Sequence, residues 1–283
     1  MVPDLLRVKI IRRNVCIAVA EVIQRGLLMK IEASQDQLSE IYQVQSNNFD
    51  TLFGFTDGSR TYPNFQDQAH FINFYSFIPY QFEISQSALQ SLSDHNAFEG
   101  QHRSVGGWSM LGVFQQVSMQ ISEGQVGQMA TFDLMFQGIR STLKSQVQLS
   151  ISAAEINLDD PFAIRVLKAL FLVKYVKEFK ATLSNLCILL LDRFEADLPE
   201  LHKRVEAALD QLELQTYIQR QGIQYQYLTD EEKDMEQEIK STQIESADIS
   251  DELDKLVFDG ILKDRKDPLP KRAGLLLLTK TEP

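Results

Sequence analysis

Two cysteines, one tryptophan and four histidines in 283 residues leave little material for metal or redox chemistry. Cys16 and Cys187 sit far apart in the apolar runs NVCIAV and LCILLL. A reducing compartment uses cysteine in this way, as a small buried hydrophobe rather than half of a disulfide. No apolar stretch approaches the roughly 20 residues that a membrane-crossing helix needs. The run VCIAVAEVI contains Glu21, and GLLLL near the end is short. The basic start is followed by an apolar run but by no small-residue cleavage site, so the chain is expected to be cytoplasmic with no membrane partner.

Motifs of catalysis are missing as well. No glycine is followed by lysine, so the phosphate loop G-x-x-x-x-G-K-[ST] is absent. There is no G-x-S-x-G elbow, and Ser104 has no defined base beside it. His95 and His102 stand seven apart with Asp94 and Glu99 nearby, but zinc sites want closer spacing and further ligands, often cysteine. The run ILLLD, ending in Asp192, imitates a strand that delivers a magnesium-binding carboxylate, yet it fits a helix better. No metal and no catalytic set is expected.

Positive charge is scarce and unevenly placed. The net charge is −11. Residues 229–259 hold twelve acids against Lys233, Lys240 and Lys255, a net of −9, while residues 1–30 carry six Arg or Lys against Asp4 and Glu21. Segregation of this kind most simply marks solvated helix faces.

What is present is mainly helical periodicity. Leu5, Val8, Ile11, Val15, Val19, Val22 and Ile23 predict a helix over 4–31. A polar connection follows over 35–66, with TDGS as a turn and Pro63 as a breaker. The aromatic run FINFYSFIPYQFE places Phe71, Phe74, Phe77 and Phe82 in a core, and Pro79 opens a helix carrying Ile84, Ala88, Leu89 and Leu92. MLGVFQQVSMQI predicts a helix with Met110, Val113, Phe114, Val117 and Ile121 inward, and ATFDLMFQGIRSTLKSQVQLSI another.

Between 160 and 228 the signals are sharper. Asp160 caps and Pro161 opens a helix burying Ile164, Leu167, Phe171, Leu172 and Tyr175. Thr182 caps a second through LSNLCILLL, and a third repeats Leu201, Val205, Ala208, Leu209 and Leu212. TYIQRQGIQYQYLT alternates polar and apolar residues around Gly222, a hairpin signal. Three helices and a hairpin in this order match a winged helix. Thr229 and Glu232 form a capping box for an acidic helix, and SDELDKLVFDGIL follows as a shorter one.

The strings FIPYQFE, LSDHNAFEGQHRSVGGWSMLGVFQ, VLKALFLVKYVKEF and YLTDEEKDMEQEIK together resemble the P-loop protein family BrxC of bacterial BREX (bacteriophage exclusion) systems, over about Asp50 to Lys266. The resemblance implies a piece of a longer AAA+-like ATPase, whose full-length relatives use ATP and magnesium and work beside a DNA methyltransferase and other BREX components. It implies a helical lid whose arginine senses nucleotide phosphate, for which Arg103 is the candidate here. The family pattern is closer to G-E-R-S-M-L, so Trp108 after Gly107 stands where an arginine is expected, and a tryptophan cannot imitate a multidentate guanidinium. The tail after ILKDRK also departs from the family, as a truncated or frameshifted reading frame would.

The expected fold is mainly α with a small β-hairpin, an AAA+-lid-like helical bundle followed by a winged-helix domain. The expected divisions are an N-terminal helix and polar linker over 1–59, the lid-like region over 60–150, the winged helix over 160–228, acidic helices over 229–262 and an irregular tail over 263–283. No catalysis and no cofactor are expected of this chain itself. Docking to other BREX components and contact with duplex DNA are the two binding roles, the latter through Lys203, Arg204 and Arg220. The alternative is a free-standing winged-helix DNA-binding regulator.

Overall fold

A computed structural model describes residues 20–100, 107–122 and 124–241. Among them the chain is mainly helical, with eleven α-helices, a further helical stretch α1 over 20–27, and one two-stranded antiparallel hairpin. The helices are α2 (Glu32–Gln45), α3 (Phe49–Phe53), α4 (Gln68–Phe74), α5 (Pro79–Asp94), α6 (Gly107–Ile121), α7 (Met135–Ile139), α8 (Ser145–Asn157), α9 (Pro161–Val173), α10 (Leu183–Leu190), α11 (Leu198–Leu214) and α12 (Asp230–Ser241). The hairpin is β1 (Ile218–Gln221) and β2 (Gln224–Tyr227), with Ile218 opposite Tyr227 and Gln221 opposite Gln224. Contacts divide the chain into a large unit, Met1–Met235, and a short one, Glu236–Pro283. The described part of the short unit is the end of α12.

Local chemistry fixes the helix starts. The carboxylate of Asp160 accepts from the Phe162 N–H at 2.9 Å with Pro161 in the first turn, Thr182 accepts from Asn185, and Asp197 from Glu200 at 3.1 Å. Each pairs a main-chain donor that would otherwise have no partner, a contribution of about 1 kcal/mol. Thr229 and Glu232 cap each other reciprocally, at 2.7 and 3.3 Å. Gly222 turns the hairpin at φ +64°, the left-handed region where glycine carries no Cβ penalty.

The core is continuous through α9, which packs against α5, α7, α8, α10, α11 and β2. Nine of its thirteen residues are buried, so it is apolar nearly all round, as a central helix must be. Phe71, Phe77 and Phe82 of the aromatic run are buried and Phe74 packs against them. Phe49 stacks on Phe71 at 5.5 Å and meets Phe194 at 5.7 Å, while Phe82 stacks on Phe114 at 4.4 Å. Each such pair adds about 0.5–1.5 kcal/mol to the burial of its rings.

Two stretches differ from the sequence expectation. The polar connection is largely helical: Leu38, Ile41, Tyr42, Gln45, Phe49, Leu52 and Phe53 recur at three- and four-residue spacing and turn inward on α2 and α3. The single helix expected over 130–151 is instead broken into the five-residue α7 and the thirteen-residue α8, with extended backbone at Leu143 between them. Strand-like pairing takes the intervening main chain: Leu143 bridges Phe98, the Lys144 N–H donates to Ala97 O at 2.8 Å and the Glu99 N–H to Thr142 O at 3.0 Å. A residue committed to such a ladder is extended and cannot continue a helix. The helix expected over 4–31 is described only from residue 20, and the one near 249–261 lies outside the described residues.

Candidate functional site

The candidate contacts Lys203, Arg204 and Arg220 lie on α11 and β1. Burial of Val205, Ala208, Leu209 and Leu212 fixes the rotation of α11 and leaves Lys203, Arg204, Glu206 and Asp210 exposed. At about 100° per residue, Glu206 and Asp210 lie within about 60° of Lys203 around the helix, whereas Arg204 points to a different side. The Arg204 guanidinium covers the ring of Phe162 at 4.1 Å. Arg220 donates from Nε to Gly222 O at 3.0 Å and lies over the Tyr225 ring at 5.7 Å. Burial raises the pKa of the Tyr225 hydroxyl; Arg220 pulls it down, and Asp210, Glu213 and Glu206 push it up. The acids of α11 thus gather beside the hairpin, among the very bases that would meet phosphate.

His95 has a packing role. It stacks on Tyr175 at 3.8 Å, with rings 3° from parallel, and its Nδ1 lies 2.8 Å from Ser91 O. Arg103, His102 and Ser104 lie outside the described residues. Trp108 falls in the first turn of α6, and its side chain lies outside them too. Asp192 follows α10 rather than ending a strand; its carbonyl accepts from the Met129 N–H at 2.7 Å. Burial pushes the Cys187 thiol up to about 11, which leaves it a poor nucleophile.

Sequence reasoning missed a polar junction where α8, the end of α9, β2 and α12 meet. The Lys174 ammonium donates to Tyr227 O and Glu232 Oε2, both at 2.6 Å. Ser150 Oγ donates to Asp230 at 2.8 Å, and Lys233 reaches Ser150 at 2.7 Å and Asp230 at 3.1 Å. Burial holds the Lys174 pKa below its ordinary value, with Glu232 partly offsetting it. Burial alone would raise Glu232, but the bonds from Lys174 and the Thr229 N–H outweigh it and keep the carboxyl below its usual range. A lone lysine ending the apolar run ALFLVK was the available signal.

A cleft of about 110 Å³ opens beside this junction, lined by His95, Lys144, Tyr175, Tyr227 and Glu231 among others. A second cavity of about 250 Å³ lies between the end of α9 and β2. Both fall short of the roughly 300–1,000 Å³ of small-molecule sites. No phosphate loop is encoded, and among the described residues no group of three or more His, Cys, Asp or Glu side chains could hold a metal ion. No described helix is long and apolar enough to cross a membrane. No family model matches the chain, and no solved structure matches it.

Proposed function

We propose that this chain is a non-catalytic piece of a BREX-type P-loop ATPase, with a lid-like helical region over 60–150 and a winged-helix region over 160–228, and that the winged-helix region docks onto other BREX proteins rather than duplex DNA. The winged-helix reading is supported by a third stretch of extended backbone. Between α9 and α10, Thr182 bridges Gln224 and the Tyr225 N–H donates to Ala181 O at 2.9 Å, adding a short edge to β2. Helix, short strand, two helices and a two-stranded wing are the winged-helix order.

The observation that carries docking over DNA is the surface of α11. A groove-reading helix works by neutralising phosphates and releasing counterions. Here Glu206, Asp210 and Glu213 border the wing, Arg204 lies over Phe162 and Arg220 over Tyr225. Lys203, Arg204 and Arg220 are all exposed and form no ion pair among the described residues, but the helix neighbours of Lys203 are acids. Such a surface repels a polyanion and suits a protein.

The test is complex formation by size-exclusion chromatography with purified BREX components, the methyltransferase first. Co-elution at micromolar concentration, with no ATP hydrolysis by this chain, is expected. Hydrolysis that survives Arg103→Ala contradicts the proposal.

A further inference from the structure

We infer that α12 is a releasable strap, held over the aromatic cleft by an ionic clasp in its first turn rather than by apolar packing. None of its residues over 230–235 is buried and none of their apolar side chains belongs to the hydrophobic core or packs against it; the contact with core rings is a cation's, the Lys233 ammonium over Tyr217 at 5.0 Å and Tyr227 at 5.8 Å. Met235 is 57 % exposed. What fastens the first turn is polar. Glu232 takes the Lys174 ammonium, Asp230 takes Ser150 and Lys233, and Glu231 accepts from Gln146 at 3.1 Å.

The clasp is coupled to the helix through one carboxylate. Glu232 Oε2 accepts from the Thr229 N–H at 2.7 Å, which starts α12, and from Lys174 at 2.6 Å, which docks it. Losing the Lys174 contact weakens both. The twelve described residues of α12 are marginal as an isolated helix, so release favours unfolding of this stretch. Thr229, Asp230 and Glu231 form one wall of the cleft at His95 and Tyr175, so release opens it. The strap is acidic, with three carboxylates in its first turn, where the helix dipole favours them.

Hydrogen exchange on the full chain tests this, comparing wild type with Lys174→Met and, on the other arm of the clasp, Asp230→Asn. The α12 amides are expected to exchange at least tenfold faster in both variants, while α9 and α11 amides keep wild-type protection. Unchanged α12 protection in both variants would overturn the inference. So would loss of protection spread equally over α9 and α11 in both, which would make the junction part of the global fold. If one variant fails to fold, the other decides by the same readout.

Discussion

Gly138 and Val113 bring α7 and α6 together so closely that a Cβ on Gly138 would lie 2.7 Å from the Val113 Cα. Main chain cannot yield as a flexible side chain can, so Gly138→Ala is expected to cost about 1–3 kcal/mol as overpacking. Gly112, an exposed glycine inside α6, offers the opposite case, with open space where a Cβ would stand. Gly112→Ala should stabilise by about 0.5–1 kcal/mol through backbone entropy. Urea unfolding of the two variants should move the midpoint in opposite directions.

Asn185 joins its own segment to residues 56–59, distant in sequence. Its amide accepts from the Thr56 N–H and donates to Thr56 O, Ser59 Oγ and Lys180 O, at 2.9–3.1 Å. Without Asn185, Thr56 O, Ser59 Oγ and Lys180 O keep the bonds from the Ser59, Lys180 and Thr182 N–H groups, whereas the part-buried Thr56 N–H loses its partner. Asn185→Leu is therefore expected to cost about 1–3 kcal/mol by urea unfolding, and a loss below about 0.5 kcal/mol would contradict this role.

Glu155 makes stability depend on acid. Burial alone would raise its pKa, but Arg140 and Lys168, each 2.7 Å away, hold it below the ordinary 4.5. A depressed folded-state pKa gives stability that is complete above the unfolded value and lost as pH falls through the folded one. Glu155→Gln should therefore lower Tm at neutral pH, and the gap to wild type should close as pH falls from 4.5 downward. A gap constant across thermal melts in that range would refute the pairing.

Cys187 should resist alkylation. With its thiol pushed up to about 11, its thiolate fraction at neutral pH is roughly 100-fold below that of a free cysteine. In a Cys16→Ser background, iodoacetamide labelling should be slow until denaturant is added. Labelling at the free-thiol rate in the folded protein would contradict the burial.

Signals contained within one turn were legible in the sequence. Asp160-Pro161, Thr182 and the Thr229–Glu232 box cap the helices expected of them, and Gly222 turns the hairpin. What escaped depends on partners far along the chain. The break before α8 comes from pairing with residues 97–99, and the burial of Asn185 and Lys174 depends on Thr56 and Glu232. The apolar stripe of α2 and α3 was present but thinly spread among polar residues. For the candidate contacts, the sequence exposed both the bases and the acids of α11. Their gathering around Tyr225 required the hairpin to fold back beside that helix.

The surface of α11 decides between docking and DNA contact, and a salt-dependent titration of labelled duplex DNA with the full chain tests it directly. Binding no tighter than about 10⁻⁵ M at 50 and 200 mM salt, unchanged by Lys203→Ala with Arg204→Ala, is expected for a docking module with at most non-specific affinity. A submicromolar Kd that weakens steeply with salt and is lost in that double variant would contradict it, and would make this chain a DNA-binding protein.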